Sequence, residues 1–146
     1  MNRWSVGAFL LGGLVAGGSI VAAQAAKDVV VVDSATAQYK DVVPGVSKAA
    51  LWGDPVKGPY GAFTRFKPGM NNALHIHTND LRILVVKGAY VFKPESGPEK
   101  RIGPGQYFFV PGGTRHVSGS DEKEGALFYE ESTGGFDLNI VKVAGQ

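Results

Sequence analysis

After its first 25 residues the chain alternates short apolar runs with clusters of Gly, Pro, Asp and Asn, and no helical stripe of ten or more residues interrupts that rhythm. Short runs bounded by turn residues read as strands. The pattern predicts strands at "DVVVVD" (28–33), "SKAALW" (47–52), "YGAFTRFK" (60–67), "ALHIH" (73–77), "LRILVVKG" (81–88), "AYVFKP" (89–94), "GQYFFV" (105–110), "TRHVSG" (114–119), "GALFYEE" (125–131) and "FDLNIVKV" (136–143). Stretches such as "KPGMNN", "ESGPEK", "PGG" and "STGG" separate them, and their Gly and Pro residues set backbone angles suited to turns. No internal repeat or low-complexity segment stands out. Many short strands expose many edges unless the sheets stack or close, so the pattern predicts an all-β protein, either a sandwich or a jelly-roll barrel.

Polar residues interrupt the apolar run most sharply in "ALHIH". Successive side chains of a strand point to opposite faces, so His75 and His77 share one face and Ile76 takes the other. Such a pair is a ready chelate. The chain has one more histidine, His116, in "GQYFFVPGGTRHVSGS", where Pro111 and Gly113 shape a tight turn before the strand that carries it. Three imidazoles inside a barrel are costly to desolvate unless something bonds them. A divalent ion does so and fixes their neutral form. The predicted centre is one divalent metal ion on His75, His77 and His116, and three imidazoles with open positions suit Fe, Zn, Cu, Ni or Mn alike.

Composition narrows the setting. The segment "MNRWSVGAFLLGGLVAGGSIVAAQAAKD" has a single cation at Arg3, an uncharged Gly-rich run and a small-x-small ending at Ala23-Gln24-Ala25, the features of a secretory signal peptide. Residues 1–25 are then a signal and 26–146 one domain, secreted or periplasmic, with no stable membrane insertion after cleavage. The uncharged run from Trp4 to Ala26 is long enough to serve instead as an anchor, although its five glycines weaken a spanning helix. There is no Cys, which excludes disulfides, thiolate ligands and a Cys nucleophile. Without residues 1–25 the chain has 14 basic and 13 acidic residues, one Arg having been removed from 15 cations, for a net charge of +1. That balance, with no basic run interleaved with aromatics, argues against a nucleic-acid partner.

The spacing of these residues resembles the cupin superfamily. Its first motif, G-x5-H-x-H-x(3,4)-E-x6-G, is matched by Gly69, His75, His77 and Gly88. Its second, G-x5-P-x-G-x2-H-x3-N, is matched by Gly105, Pro111, Gly113 and His116, with Ser120 where Asn is usual. The resemblance implies a cupin-type double-stranded β-helix, a jelly-roll barrel. It also exposes a departure: the slot of the motif Glu falls on Leu81 or Arg82. Counting back from Gly88 places Leu81 in the slot and turns Arg82 to the opposite face. The site that the resemblance implies is three histidines plus water, with Fe, Mn or Zn first among the metals and Cu or Ni open, and with Glu130 and Asp80 as candidates for a fourth ligand or a catalytic acid or base.

Arg65 and Lys67 alternate with Thr64 and Phe66 before the first motif, so one of these two faces, either one, lies near the pocket. Tyr107, Phe108, Phe109, Phe128 and Tyr129 are expected in the core or the pocket wall, and Trp52 beside a Gly-Asp-Pro turn as a packing aromatic. No phosphate cradle, nucleophile elbow or close carboxylate pair appears. The resemblance to three-histidine cupins, several of which are dioxygenases, points first to oxidative cleavage of a small organic molecule. A metal-dependent isomerase or lyase and a non-catalytic metal or metabolite sensor are the alternatives. Edge strands leave room for a homodimer.

Overall fold

Strand β3 (Tyr60–Phe66) shows how the barrel is made: Tyr60, Ala62, Thr64 and Phe66 are buried, and Phe63 and Arg65 lie on the other side. The same period of two turns Leu81, Ile83 and Val85 of β5 (Leu81–Gly88) and Ala126, Phe128, Glu130 and Ser132 of β10 (Ala126–Ser132) inward. These strands belong to a computed structural model in which residues 29–142 are described, those from Val31 onward being part of one compact unit. The remaining strands are β1 (Lys40–Val43), β2 (Val46–Gly53), β4 (His75–Ile76), β6 (Tyr90–Pro94), β7 (Lys100–Ile102), β8 (Tyr107–Val110), β9 (His116–Ser120) and β11 (Asn139–Ile140). They form two antiparallel sheets, β1-β2-β3-β10-β5-β8 and β11-β4-β9-β6-β7. The all-β cupin architecture expected from the sequence is the one observed.

One end of the interior is filled by rings. Phe66 meets Phe128 edge-on at 4.9 Å and Tyr90 at 5.3 Å, and Val46, Val85, Ile102 and Ala126 pack around them. Alternation then carries each strand into a polar region: β10 runs from Phe128 to Glu130 to Ser132, and β3 from Phe66 to Thr64 to Tyr60. The motif glycines are structural. Gly88 has φ +68°, and a Cβ there would lie 2.2 Å from the Gly125 carbonyl, so only glycine permits the β5–β6 corner. Gly113, at φ +78°, makes the turn that aims β9.

Several expectations change. Residues 29–33 carry no strand and Val31 is 90% exposed. A valine run has strand propensity, but propensity is realised only against a facing strand, and the sheet edge is occupied by β1. The predicted strand at 136–143 shrinks to Asn139–Ile140 because the preceding loop is held to the barrel by its own contacts; residue 143, like residue 28 and the predicted signal 1–25, lies outside the described residues. β1 and the short charged β7 were not predicted. Tyr107 and Phe109, expected inside, are 60% and 45% exposed, because β8 buries Val110 and half-buries Phe108 and so turns its alternate residues outward beside Leu84 and Val86 of β5.

Candidate metal centre

Pairing between β4 and β9 sets His75 directly opposite His116. His77 follows two residues later on the same face, and its carbonyl accepts a hydrogen bond from the Gly113 amide (2.8 Å), which ties the first motif to the turn of the second. The ring centroids lie 4.4 Å apart for His75 and His116, 4.9 Å for His75 and His77, and 5.5 Å for His77 and His116. One ligand atom from each ring falls within 4.8 Å of the others, and all three residues are buried.

The backbone fixes which nitrogen faces inward. Nδ1 of His75 lies 2.7 Å from the Ala73 carbonyl, Nδ1 of His116 2.8 Å from the Thr114 carbonyl, and Nδ1 of His77 contacts the Asp137 carbonyl. A carbonyl oxygen only accepts, so each neutral ring carries its proton on Nδ1 and presents the Nε2 lone pair to its neighbours. Nε2 of His75 and of His116 is buried without a hydrogen-bond partner. Two buried lone pairs without partners are a cost that a protein rarely leaves standing, and a metal ion removes it. Burial pushes all three imidazoles below their ordinary range, His116 to about 4, so they are neutral ligands at physiological pH. Phe92 stacks on His116 at 4.9 Å and holds the ring in place. The donor set therefore fits a divalent ion with nitrogen ligands and open positions.

A second polar cluster shares the cavity that His77 lines. Lys48 Nζ forms an ion pair with Oε1 of Glu130, donates to Thr64 Oγ1 (3.2 Å) and lies 4.4 Å from the centroid of Phe136. The Tyr60 hydroxyl donates to the same Glu130 oxygen at 2.6 Å. Lys48 is 5% and Glu130 4% exposed, deep enough that neither charge stands without the other. Burial lowers the proton affinity of Lys48, partly offset by Glu130, and burial beside Glu130 raises that of Tyr60, which stays a hydrogen-bond donor.

Of the other residues singled out from the sequence, Leu81 is buried and lines the cavity, and Arg82 points outward over Phe109 at 5.3 Å. Asp80 accepts the Gly112 amide at 2.9 Å and so braces the Pro-Gly-Gly turn. Neither Asp80 nor Glu130 joins the cluster of potential ligands. Arg65 turns out to the Ser34 and Ala35 carbonyls and Thr64 turns in. Ser120 takes a structural place: its hydroxyl donates to the Lys67 carbonyl (2.6 Å) and accepts the Met70 amide (3.1 Å). Lys48 and Tyr60 escaped sequence reasoning. A signal existed for Lys48, since it shares a strand face with Val46, and an inward charge on an apolar face asks for a partner.

Comparisons with known proteins agree with this fold. Residues 23–144 match a family described as a domain of unknown function (DUF4437), and the chain belongs to that cupin-like family. KdgF from Halomonas is similar at 26% identity and a TM-score of 0.54, over 66% of this chain and 87% of that one. The polyketide cyclase RemF from Streptomyces resistomycificus is similar at 16% identity and a TM-score of 0.65, over 81% and 89%. An RmlC-like cupin from Shewanella frigidimarina is similar at 20% identity and a TM-score of 0.55, over 70% and 88%. No match was found among curated proteins.

Proposed function

From membership of that family and the convergence of three imidazoles, we propose that this protein is a mononuclear metal-dependent enzyme acting on a small organic molecule. The observation that carries the reading is the pair of buried Nε2 atoms on His75 and His116, without partners and within ligand distance of His77. A bound divalent ion would supply a Lewis acid with open positions for an oxygen-bearing substrate or for O2. The chain's own residues do the rest. Carbonyls of Ala73, Thr114 and Asp137 orient the three rings, Leu81 keeps the motif-Glu slot apolar, and Phe136 with Leu138 walls the cavity from the loop that precedes β11.

Oxidative cleavage of the dioxygenase type is the first reaction we propose. A non-oxidative isomerase or lyase is the second, favoured by Glu130, an acid or base candidate in the cavity that His77 lines. Asp80 is set aside for that role because its carboxylate is engaged with the Gly112 amide. We also propose that the protein is exported and starts near Ala26, on the strength of the Ala23-Gln24-Ala25 ending. Mass spectrometry of the protein from its native compartment checks that start; an intact N-terminus in a membrane fraction contradicts it. Elemental analysis of the same sample, followed by oxygen uptake on small diketones and phenols, tests the function. Metal at one per chain with substrate-dependent uptake supports oxidation, metal with turnover but no uptake supports the second reading, and metal without turnover of any compound points to a sensor.

A further inference from the structure

A buried ion pair inside a small β-barrel needs a reason. Removing two charges from water costs several kcal/mol each, and replacing such a pair by apolar residues of similar size is often neutral or stabilising, so stability alone does not account for Lys48 and Glu130. Their arrangement is also lopsided. Lys48 and Tyr60 both engage Oε1 of Glu130, and Oε2 has no partner among the described residues. Oε2 is not closed off like Nε2 of His75 and His116, which are buried without partners, and Glu130 and His77 line one cavity. The titratable groups that face Glu130 are Lys48 from β2, Tyr60 from β3, Tyr90 from β6 and His77 after β4; Ile83 of β5 beside it is apolar.

We propose that Glu130 is the proton acceptor of the site, that Lys48 and Tyr60 are its positioning residues, and that the substrate is a small weak acid, a phenol or an enolisable carbonyl compound. This rests on the metal reading of the three histidines. In the step, the O–H or C–H bond of the substrate breaks, its electron pair stays on the substrate as phenolate or enolate, and the proton passes to Oε2 of Glu130. Lys48 and Tyr60 hold Oε1, so the carboxylate cannot rotate away, and the ammonium of Lys48 remains to balance the anion that forms. The remainder of the wall, Leu81, Phe136 and Leu138 among it, is apolar and suits a substrate with an apolar body; the room inside is about 20 Å³, little more than a water needs, so a ring enters by displacing these side chains.

The test uses zinc-loaded protein and 4-nitrophenol, whose phenolate absorbs visibly, below the pH at which the free phenol ionises. Metal content is measured on every sample, so a wild type without metal contradicts the metal reading, and the proton count still reports on Glu130. Wild type is expected to bind the probe as phenolate with almost no proton released to the medium. Glu130→Gln is expected either to release about one proton per phenolate bound or to lose the phenolate signal. Lys48→Met is expected to move the acid limb of phenolate binding to higher pH by about one unit or more, a change that a purely structural lysine does not cause. Should Glu130→Gln fail to fold because it strands Lys48, the Lys48→Met/Glu130→Gln double variant carries no buried cation and answers the same question. The proposal is overturned by a proton count in the Gln variants equal to that of wild type with metal intact, or by a metal-loaded wild type that does not bind the probe.

Discussion

The two ends of the barrel interior are equally buried and differently made. Around Phe66, Tyr90 and Phe128 the strands contribute rings and branched aliphatics that need nothing but contact. Around His75, His77, His116, Lys48 and Glu130 the same strands and their neighbours contribute groups that burial penalises and that only specific partners repair. The apolar end makes the fold, and the polar end draws on the stability the apolar end supplies. Substitutions that trade one end against the other separate the two roles.

The largest effect is a crossed pair. His75→Ala should lower metal affinity by on the order of a hundredfold or more, since two imidazoles hold a divalent ion poorly, and leave the metal-free stability unchanged or higher. Phe128→Ala should cost about 3–5 kcal/mol of stability and leave one metal per folded chain. Denaturant titration with elemental analysis of both variants reads the cross. A His75→Ala protein that keeps its metal would merge the two ends.

Next comes the ion pair. Lys48→Met alone strands Glu130 and should cost about 3 kcal/mol, whereas Lys48→Met/Glu130→Leu should recover most of that loss or exceed wild type. Chemical denaturation of the two variants decides it. If the double variant is the less stable of the two, the pair is part of the structural core after all.

The third effect is that of pH on the metal-free protein. Folding holds His116 at about 4 against an ordinary 6.5, and burial lowers His75 and His77 in the same direction. Above 6.5 neither state binds the proton on His116; as pH falls below 6.5 the unfolded chain takes up a proton the folded one refuses, so stability drains between about 6.5 and about 4 and levels off below. The loss should be on the order of 3 kcal/mol from His116, with His75 and His77 adding to it in the same direction. Phe128→Ala lowers the whole curve without changing that window, because its neighbours in the apolar end do not titrate there. Melting curves from pH 8 to pH 4 on wild type and His116→Gln check it: the variant should show the shallower slope.

The smallest effect is expected at Arg82→Gln, outside both ends. With the side chain over Phe109 and away from the cavity, metal content should not change and stability should move by about 0.5 kcal/mol or less.

How much of this was legible before the fold was seen differs between the same two ends. The three histidines were readable because a strand's period of two puts His75 and His77 on one face, and because Gly113 and Pro111 announce the turn that brings His116 back. The Leu81 register was readable by counting from Gly88, and Leu81 is buried as that count requires. The Lys48–Glu130 pair was not, since its partners are 82 residues apart and only sheet pairing through β3 makes them neighbours. The faces of Tyr107 and Phe109 were misjudged for a related reason: both faces of β8 are apolar, so alternation gives no sign of which one meets the core. The Val29–Val32 run failed as a strand because local propensity cannot supply a pairing partner.

The central claim is that three neutral imidazoles converge on one metal ion. X-ray absorption at the edge of the metal found in the protein from its native compartment reads this directly. Three imidazole nitrogens near 2.0–2.2 Å, one metal per chain, and loss of the imidazole scattering pattern in His116→Ala are the expected result. A protein without metal, or a metal that sees one imidazole or none, would contradict it.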